Sequence, residues 1–163
     1  MGTIHVASGA GTGPTAMASY DAALADAGVE NYNLVAVSSV VPADAEVRTV
    51  AEAPDLGPVG GRLTVVEARA TVAGPGSAGA ALGWSRTPSG EGLFYESGGV
   101  GGTEANPDAQ AAERVRNGLA AGLDLRDWDG DDPTVETQRA VASDGHHATA
   151  VVVAAYGEAD PIC

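Results

Sequence analysis

The chain has 163 residues, 22 of them Asp or Glu and only eight basic, for a formal net charge of −14. All eight basic residues are arginine; there is no lysine. A Walker-type phosphate loop, a pyridoxal phosphate enzyme and a Schiff-base aldolase each need a lysine, so all three are excluded.

Residues 3–8, Thr-Ile-His-Val-Ala-Ser, read as a first strand, and Gly9 to Pro14 as a loop. Met17, Tyr20, Leu24 and Ala27 then recur at helical spacing. Thr15 is the expected N-cap and Gly28 the expected residue just past the helix. The stretch 32–38 reads as a strand, and Pro42 forbids its regular continuation. A long Thr- and Val-rich strand follows at 62–73, and Gly74-Pro75-Gly76 turns it back into a partner at 78–87. A further turn at Pro88 to Gly90 leads to a strand at 92–97 and a glycine loop from Gly98 to Gly102. Residues 107–121 form a second helix, with Ala112, Val115 and Leu119 inward and Arg114 and Arg116 outward. The Asp-rich stretch 124–132 reads as a loop, strands at 134–143 and 147–156 close the chain, and the tail from Gly157 is expected to fray. The order predicts an α+β fold dominated by hairpins, hence mostly antiparallel sheet, in one domain spanning 1–163.

Apolar residues make up 44% of the chain but aromatics only 4%, so Ala and Val must fill the core. That apolar content argues for a folded protein with a salt-adapted surface rather than an acidic disordered chain. In molar salt the screening length falls to about 3 Å and carboxylate repulsion is largely suppressed. The acidity argues against nucleic acid or an anionic membrane as partner. Cys163 is the only cysteine, so no intrachain disulfide forms and a reducing compartment is expected. No run of 18 apolar residues and no basic-then-apolar N-terminal signal is seen, so the expected location is cytoplasmic.

Several motifs have plain readings. Gly9-Ala-Gly-Thr-Gly13 lacks the ribose-binding acid of a dinucleotide site and reads as a turn. Asp127, Asp129, Asp131 and Asp132 lack the glycine and glutamate positions of a calcium loop and read as a solvated acidic stretch. His146 and His147 are adjacent, so on a strand they point to opposite faces and do not share a metal. No Gly-x-Ser-x-Gly elbow is present.

One segment stands apart. Asn33-Leu34 is followed by Ser38-Ser39 and Pro42 at the end of an apolar strand. Upstream lies Tyr20-Asp21-Ala-Ala-Leu24-Ala-Asp-Ala27-Gly28, and downstream Gly92-Leu93-Phe94-Tyr95-Glu96. In order and spacing these three patches resemble the pyruvoyl-dependent arginine decarboxylases, over most of residues 3–156. Ser97, where that family often has an aromatic, and Tyr32, where it has a small aliphatic, depart from the pattern.

The resemblance implies a four-layer αββα sandwich and a homotrimer with pockets between subunits. It implies self-cleavage between Ser38 and Ser39, giving chains 1–38 and 39–163, the second headed by a covalent pyruvoyl group derived from Ser39. Such a ketone replaces the lysine-bound aldehyde that this chain cannot hold. Asn33 is then assigned to processing and substrate contact, and Glu96 to general acid. At the end of an apolar strand, Glu96 is expected to be buried and protonated near neutral pH. Asp21 is assigned to the substrate guanidinium, which a carboxylate binds through two parallel N–H bonds. Met17 and Tyr20 are placed beside the substrate's aliphatic stem. The implied reaction is decarboxylation of L-arginine to agmatine, with no metal. The same chemistry on another amino acid, or an uncleaved non-catalytic paralogue, are the alternatives.

Overall fold

A computed structural model describes residues 2–163. In chain order the elements are β1 (Thr3–Gly13), α1 (Ala16–Ala27), β2 (Asn33–Ala36), β3 (Val40–Val41), β4 (Glu46–Thr49), β5 (Arg62–Ala73), β6 (Gly76–Arg86), β7 (Gly92–Gly101), α2 (Pro107–Arg126), β8 (Thr134–Ala142) and β9 (His147–Tyr156). They build two sheets, ordered β2-β5-β9-β1-β4 and β3-β7-β6-β8. Only β1–β4 and β2–β5 pair in parallel; the remaining pairs are antiparallel.

Three apolar clusters mark the interfaces of four layers. Ile4, Val66, Ala80, Leu82, Phe94 and Val152 belong to the cluster between the sheets. Ala23, Leu24 and Ala27 of α1 pack on Val65, Val151 and Val153 of the first sheet. Ala111, Val115 and Leu119 of α2 pack on Ala81 and Leu93 of the second. The order is therefore α1, sheet, sheet, α2. β9 is buried on both faces, which is why its sequence is an unbroken apolar run rather than an alternating one. The ends of α1 form as expected. Thr15 Oγ1 accepts the Ala18 N–H at 3.1 Å, and Gly28 takes a left-handed conformation with φ 83°.

Several local expectations are corrected. Gly9 to Gly13 is neither turn nor phosphate loop but the second half of β1, paired with β9 as far as Gly13–His147. Its glycines alternate, so Gly9, Gly11 and Gly13 turn one bare face toward α1, where a Cβ would strike Ala23, Ala22 and Ser19. Gly98 to Gly101 likewise continue β7, because Gly98 lies against the Arg69 carbonyl of β5 in the other sheet. Hairpins do not dominate. β5 and β6 are consecutive yet lie in different sheets, as do β8 and β9, and only β6–β7 pair across a short turn. The β3-β7-β6-β8 sheet is wholly antiparallel, and the other is antiparallel except for its edge strands β2 and β4. Strand β2 is shorter than 32–38, and β3 and β4 are additional. α2 runs to Arg126, five residues beyond 121, and absorbs the start of the Asp-rich stretch. The tail is tied down through Asp160: Ala159 N–H donates to the Leu56 carbonyl at 2.6 Å and Asp160 N–H to Arg62 at 3.0 Å.

Candidate active site

The chain crosses from the first sheet to the second between β2 and β3, and Ser38-Ser39 is that crossing. On one side, β2 pairs with β5, and the Val37 N–H donates to the Val65 carbonyl at 3.0 Å. On the other, Val40 and Val41 pair with Leu93 and Gly92 of β7. Each side is anchored to a different sheet, so the backbone must turn sharply at the two serines.

Ser39 lies at the centre of that turn. The Val40 N–H donates to the Ser38 carbonyl at 2.9 Å, closing a three-residue turn around Ser39. The Ser39 carbonyl accepts the Phe94 N–H at 2.7 Å. The Ser39 hydroxyl donates to Glu96 Oε2 at 3.2 Å. Ser38, Ser39, Val40, Phe94, Glu96 and Arg126 are among the residues lining a cleft of about 430 Å³. Phe94 is fully buried between the sheets, which fixes the strand that carries Glu96 two residues on. Glu96 itself is exposed, not buried. Burial along β7 ends at Phe94, and by Glu96 the inter-sheet face opens onto the cleft instead of the core.

Tyr156 completes this corner and had no signal in the sequence beyond closing an apolar strand. Its hydroxyl reaches from β9 to donate to the Val40 carbonyl at 2.9 Å. Its ring meets Phe94 edge-on at 6.0 Å. Burial, and secondly the charge of Glu96, push its pKa up to about 12, so it stays a donor at neutral pH. Arg86 steadies the segment beyond the crossing: its guanidinium donates to the carbonyls of Pro42 and Ala45 at 3.2 and 2.9 Å.

The other sequence-predicted residues lie elsewhere in the same chain. Asp21 is exposed on α1 and lines a separate cleft of about 420 Å³ with Met17, Tyr20, Leu24, Glu30 and Tyr32. Tyr20 donates to Glu67 Oε2 at 2.7 Å while the Arg69 guanidinium stacks 4.6 Å from its ring centroid. Burial first, then the Glu67 hydrogen bond and charge, push its pKa up to about 12. Asn33 sits at the far end of β2, where its amide donates to the Gly60 carbonyl at 2.7 Å, not to Ser38. Extended backbone explains this, since five residues span roughly 16 Å. Within one chain, then, Ser39 and Glu96 meet, while Asp21 and Asn33 do not join them.

Asp131 Oδ1 accepts the Arg86 N–H at 2.8 Å and so anchors β6. His146 and His147 stand at the β8–β9 turn, and no cluster of three metal-ligating side chains occurs among the described residues. No helix among them is long and apolar enough to cross a membrane.

Comparison with known proteins identifies the family. Residues 3–161 match the family described as pyruvoyl-dependent arginine decarboxylase. A pyruvoyl-dependent arginine decarboxylase of Halobacterium salinarum is 56% identical over 162 residues, covering 99% of this chain and 98% of the relative. One of Pyrococcus abyssi is 37% identical over 121 residues, 73% of this chain and 72% of the relative. With the match running through both clefts and the serine pair, the chain belongs to the pyruvoyl-dependent arginine decarboxylase family.

Proposed function

We propose that this protein cleaves itself between Ser38 and Ser39 and then decarboxylates L-arginine to agmatine and carbon dioxide. The observation that carries the reading is the Ser39 hydroxyl, held at the crossing between the sheets with its hydrogen bond on Glu96. The residues fit a pyruvoyl group because its precursor is in place, in a cleft, beside a glutamate side chain.

In self-cleavage the Ser39 hydroxyl oxygen attacks the Ser38 carbonyl carbon. The C–N bond breaks as the C–O bond forms, and the hydroxyl proton ends on the Ser39 nitrogen. The resulting ester eliminates Ser38 as a carboxylate and leaves dehydroalanine. Hydrolysis then releases ammonia and a ketone at position 39, separating 1–38 from 39–163. That ketone supplies the electron sink that amino-acid decarboxylation requires.

The remaining steps belong to side chains. Glu96 delivers the proton to the carbon that loses carbon dioxide. Asp21 accepts two parallel N–H bonds from the guanidinium, with Met17 and Tyr20 beside the aliphatic stem. Since Asp21 and Asn33 lie apart from Ser39 within one chain, the complete site forms between protomers of a homotrimer. Asn33 then contributes to processing and substrate contact across that boundary. Exposed Val35, Val37 and Val40 beside Ser39, and exposed Met17 beside Asp21, support an apolar interface there. A neighbour over Glu96 supplies the burial that the single chain lacks. The protein works as a soluble cytoplasmic enzyme, without metal or nucleic acid.

Mass spectrometry in high salt, followed by carbon dioxide release from arginine, ornithine, lysine, histidine and aspartate, tests the reading. Two fragments, the larger blocked at its N-terminus, with arginine turned over fastest, are expected. A single intact chain would point to a non-catalytic paralogue, and no release from arginine would overturn the substrate. Ser39→Ala is expected to remain one chain.

A further inference from the structure

The attack on Ser38 places negative charge on its carbonyl oxygen, and that oxygen already has a donor. The Val40 N–H lies 2.9 Å from it, and this N–H belongs to the peptide plane just beyond the nucleophile. The other end of the same plane, the Ser39 carbonyl, is fixed by the Phe94 N–H at 2.7 Å. Phe94 in turn is fully buried and edge-on to Trp84 and Tyr156 at 5.8 and 6.0 Å. The next carbonyl, that of Val40, is held by the Tyr156 hydroxyl at 2.9 Å. Three hydrogen bonds thus fix residues 38–40, and one of them points at the atom that becomes charged.

We propose that the Val40 backbone N–H is an oxyanion donor for self-cleavage, and that Tyr156 is a positioning residue that holds it there through the Val40 carbonyl. The inference rests on the self-cleavage reading above. A preorganised donor aimed at developing charge loses nothing to reorganisation as the reaction proceeds. The fixed turn does a second thing. It leaves Ser39 central, so its side chain needs only to rotate from Glu96 toward the Ser38 carbonyl to attack. No co-reactant is required for this step: one C–O bond forms, one C–N bond breaks, and one proton moves from Oγ to nitrogen.

The test removes the N–H alone. The chain is made with 2-hydroxy-3-methylbutanoic acid in place of Val40, so that an ester oxygen replaces the nitrogen and the side chain is unchanged. Wild type is prepared by the same route. Release of fragment 1–38 is timed by mass spectrometry in high salt, where hydrolysis of the new ester gives 1–39 and is told apart by mass. Release is expected to slow by about a hundredfold, the usual effect of deleting one oxyanion donor. A rate within twofold of wild type would overturn the proposal. Failure of wild type itself to cleave would instead overturn the function on which it rests.

The role of Tyr156 is tested by Tyr156→Phe against Ser77→Ala. The Ser77 hydroxyl makes the same kind of bond, to the Gly102 carbonyl at 2.7 Å, away from the serine pair. Both variants are expected to lose similar stability. Only Tyr156→Phe is expected to slow cleavage, by about fivefold, as for one ordinary hydrogen bond. Equal cleavage rates in the two variants would refute the positioning role.

Discussion

The bare face of β1 makes a sharp prediction for Gly9→Ala. A methyl group there would stand 2.9 Å from the Ala27 nitrogen and closer still to the Ala23 carbonyl oxygen, where ordinary contact begins at 3.4 Å. Both obstacles are helix backbone, so neither can rotate away. α1 must move off the sheet by at least the 0.5 Å missing at Ala27 (3.4 − 2.9), and by more over Ala23. Ala23 and Ala27 are fully buried, so that movement loosens a packed interface. Overpacking of this kind costs about 1–3 kcal/mol. Gly102→Ala is the control, because nothing lies within 4 Å of its added methyl. It is expected to stay within about 0.5 kcal/mol of the parent. Denaturant unfolding followed by circular dichroism in 3 M salt, with oligomeric state matched, measures both. Because α1 also carries Asp21, Gly9→Ala is expected to raise the KM for arginine while self-cleavage, anchored on the other sheet, proceeds. If Gly9→Ala unfolded at the same midpoint as Gly102→Ala, the close-approach reasoning would be wrong.

Glu96→Gln is expected to cleave normally, since the amide oxygen can accept the Ser39 hydroxyl, but to lose about 10²–10⁴ in turnover for want of a proton donor. Carbon dioxide release from the fully cleaved variant measures this, and near-wild-type turnover would remove Glu96 from the acid role. Desalting from about 3 M to 0.05 M should loosen the protein, because a net charge of −14 is then poorly screened; an unchanged circular dichroism spectrum would refute it. Two of the four tyrosines, Tyr20 and Tyr156, should ionise at about pH 12 in the folded protein. Their folded values lie above the ordinary 10, so this contribution to stability is complete below pH 10 and is lost as pH rises toward 12. Ultraviolet titration of tyrosinate in wild type, Tyr20→Phe and Tyr156→Phe would show it, as one high-pH step missing in each variant.

Both helices, and both ends of α1, were legible in the sequence because their signals are local. Thr15, Gly28 and the Met17–Tyr20–Leu24–Ala27 spacing report on contacts within one or two turns. Strand partners were not. Gly74-Pro75-Gly76 looks the same whether it joins two strands of one sheet or carries the chain between sheets. The glycine runs misled for a related reason. Glycine marks a place where a side chain does not fit, and both a turn and a strand pressed against a helix meet that description. The alternation of Gly9, Gly11 and Gly13 at period two was the one sign that pointed to the strand. At the site, Ser39 and Glu96 were readable through the family pattern, and their hydrogen bond joins residues 57 apart in sequence. Tyr156 was not readable, since its partner carbonyl lies 116 residues away in the other sheet.

The place of the serine pair is compatible with the proposed cut there, which would leave the site assembled. Residues 1–38 hold β1, α1 and β2. β1 alone makes ten register pairs with β9, from Ile4–Tyr156 to Gly13–His147, and lies between β9 and β4 inside its sheet. That segment stays bound without the peptide link. Residue 39 is held from the other sheet by Phe94, by the β3–β7 pairing and by Arg86 on Pro42, with Tyr156 of β9 reaching across to Val40. A break between Ser38 and Ser39 therefore frees neither layer, and the new terminus stays beside Glu96. An identical Ser-Ser pair within β1 or β9 would instead leave both sides of the cut in one sheet. A protein without lysine that draws its carbonyl from its own backbone needs a place where the backbone is dispensable, and the proposed cut falls at such a place, the crossing between the two sheets.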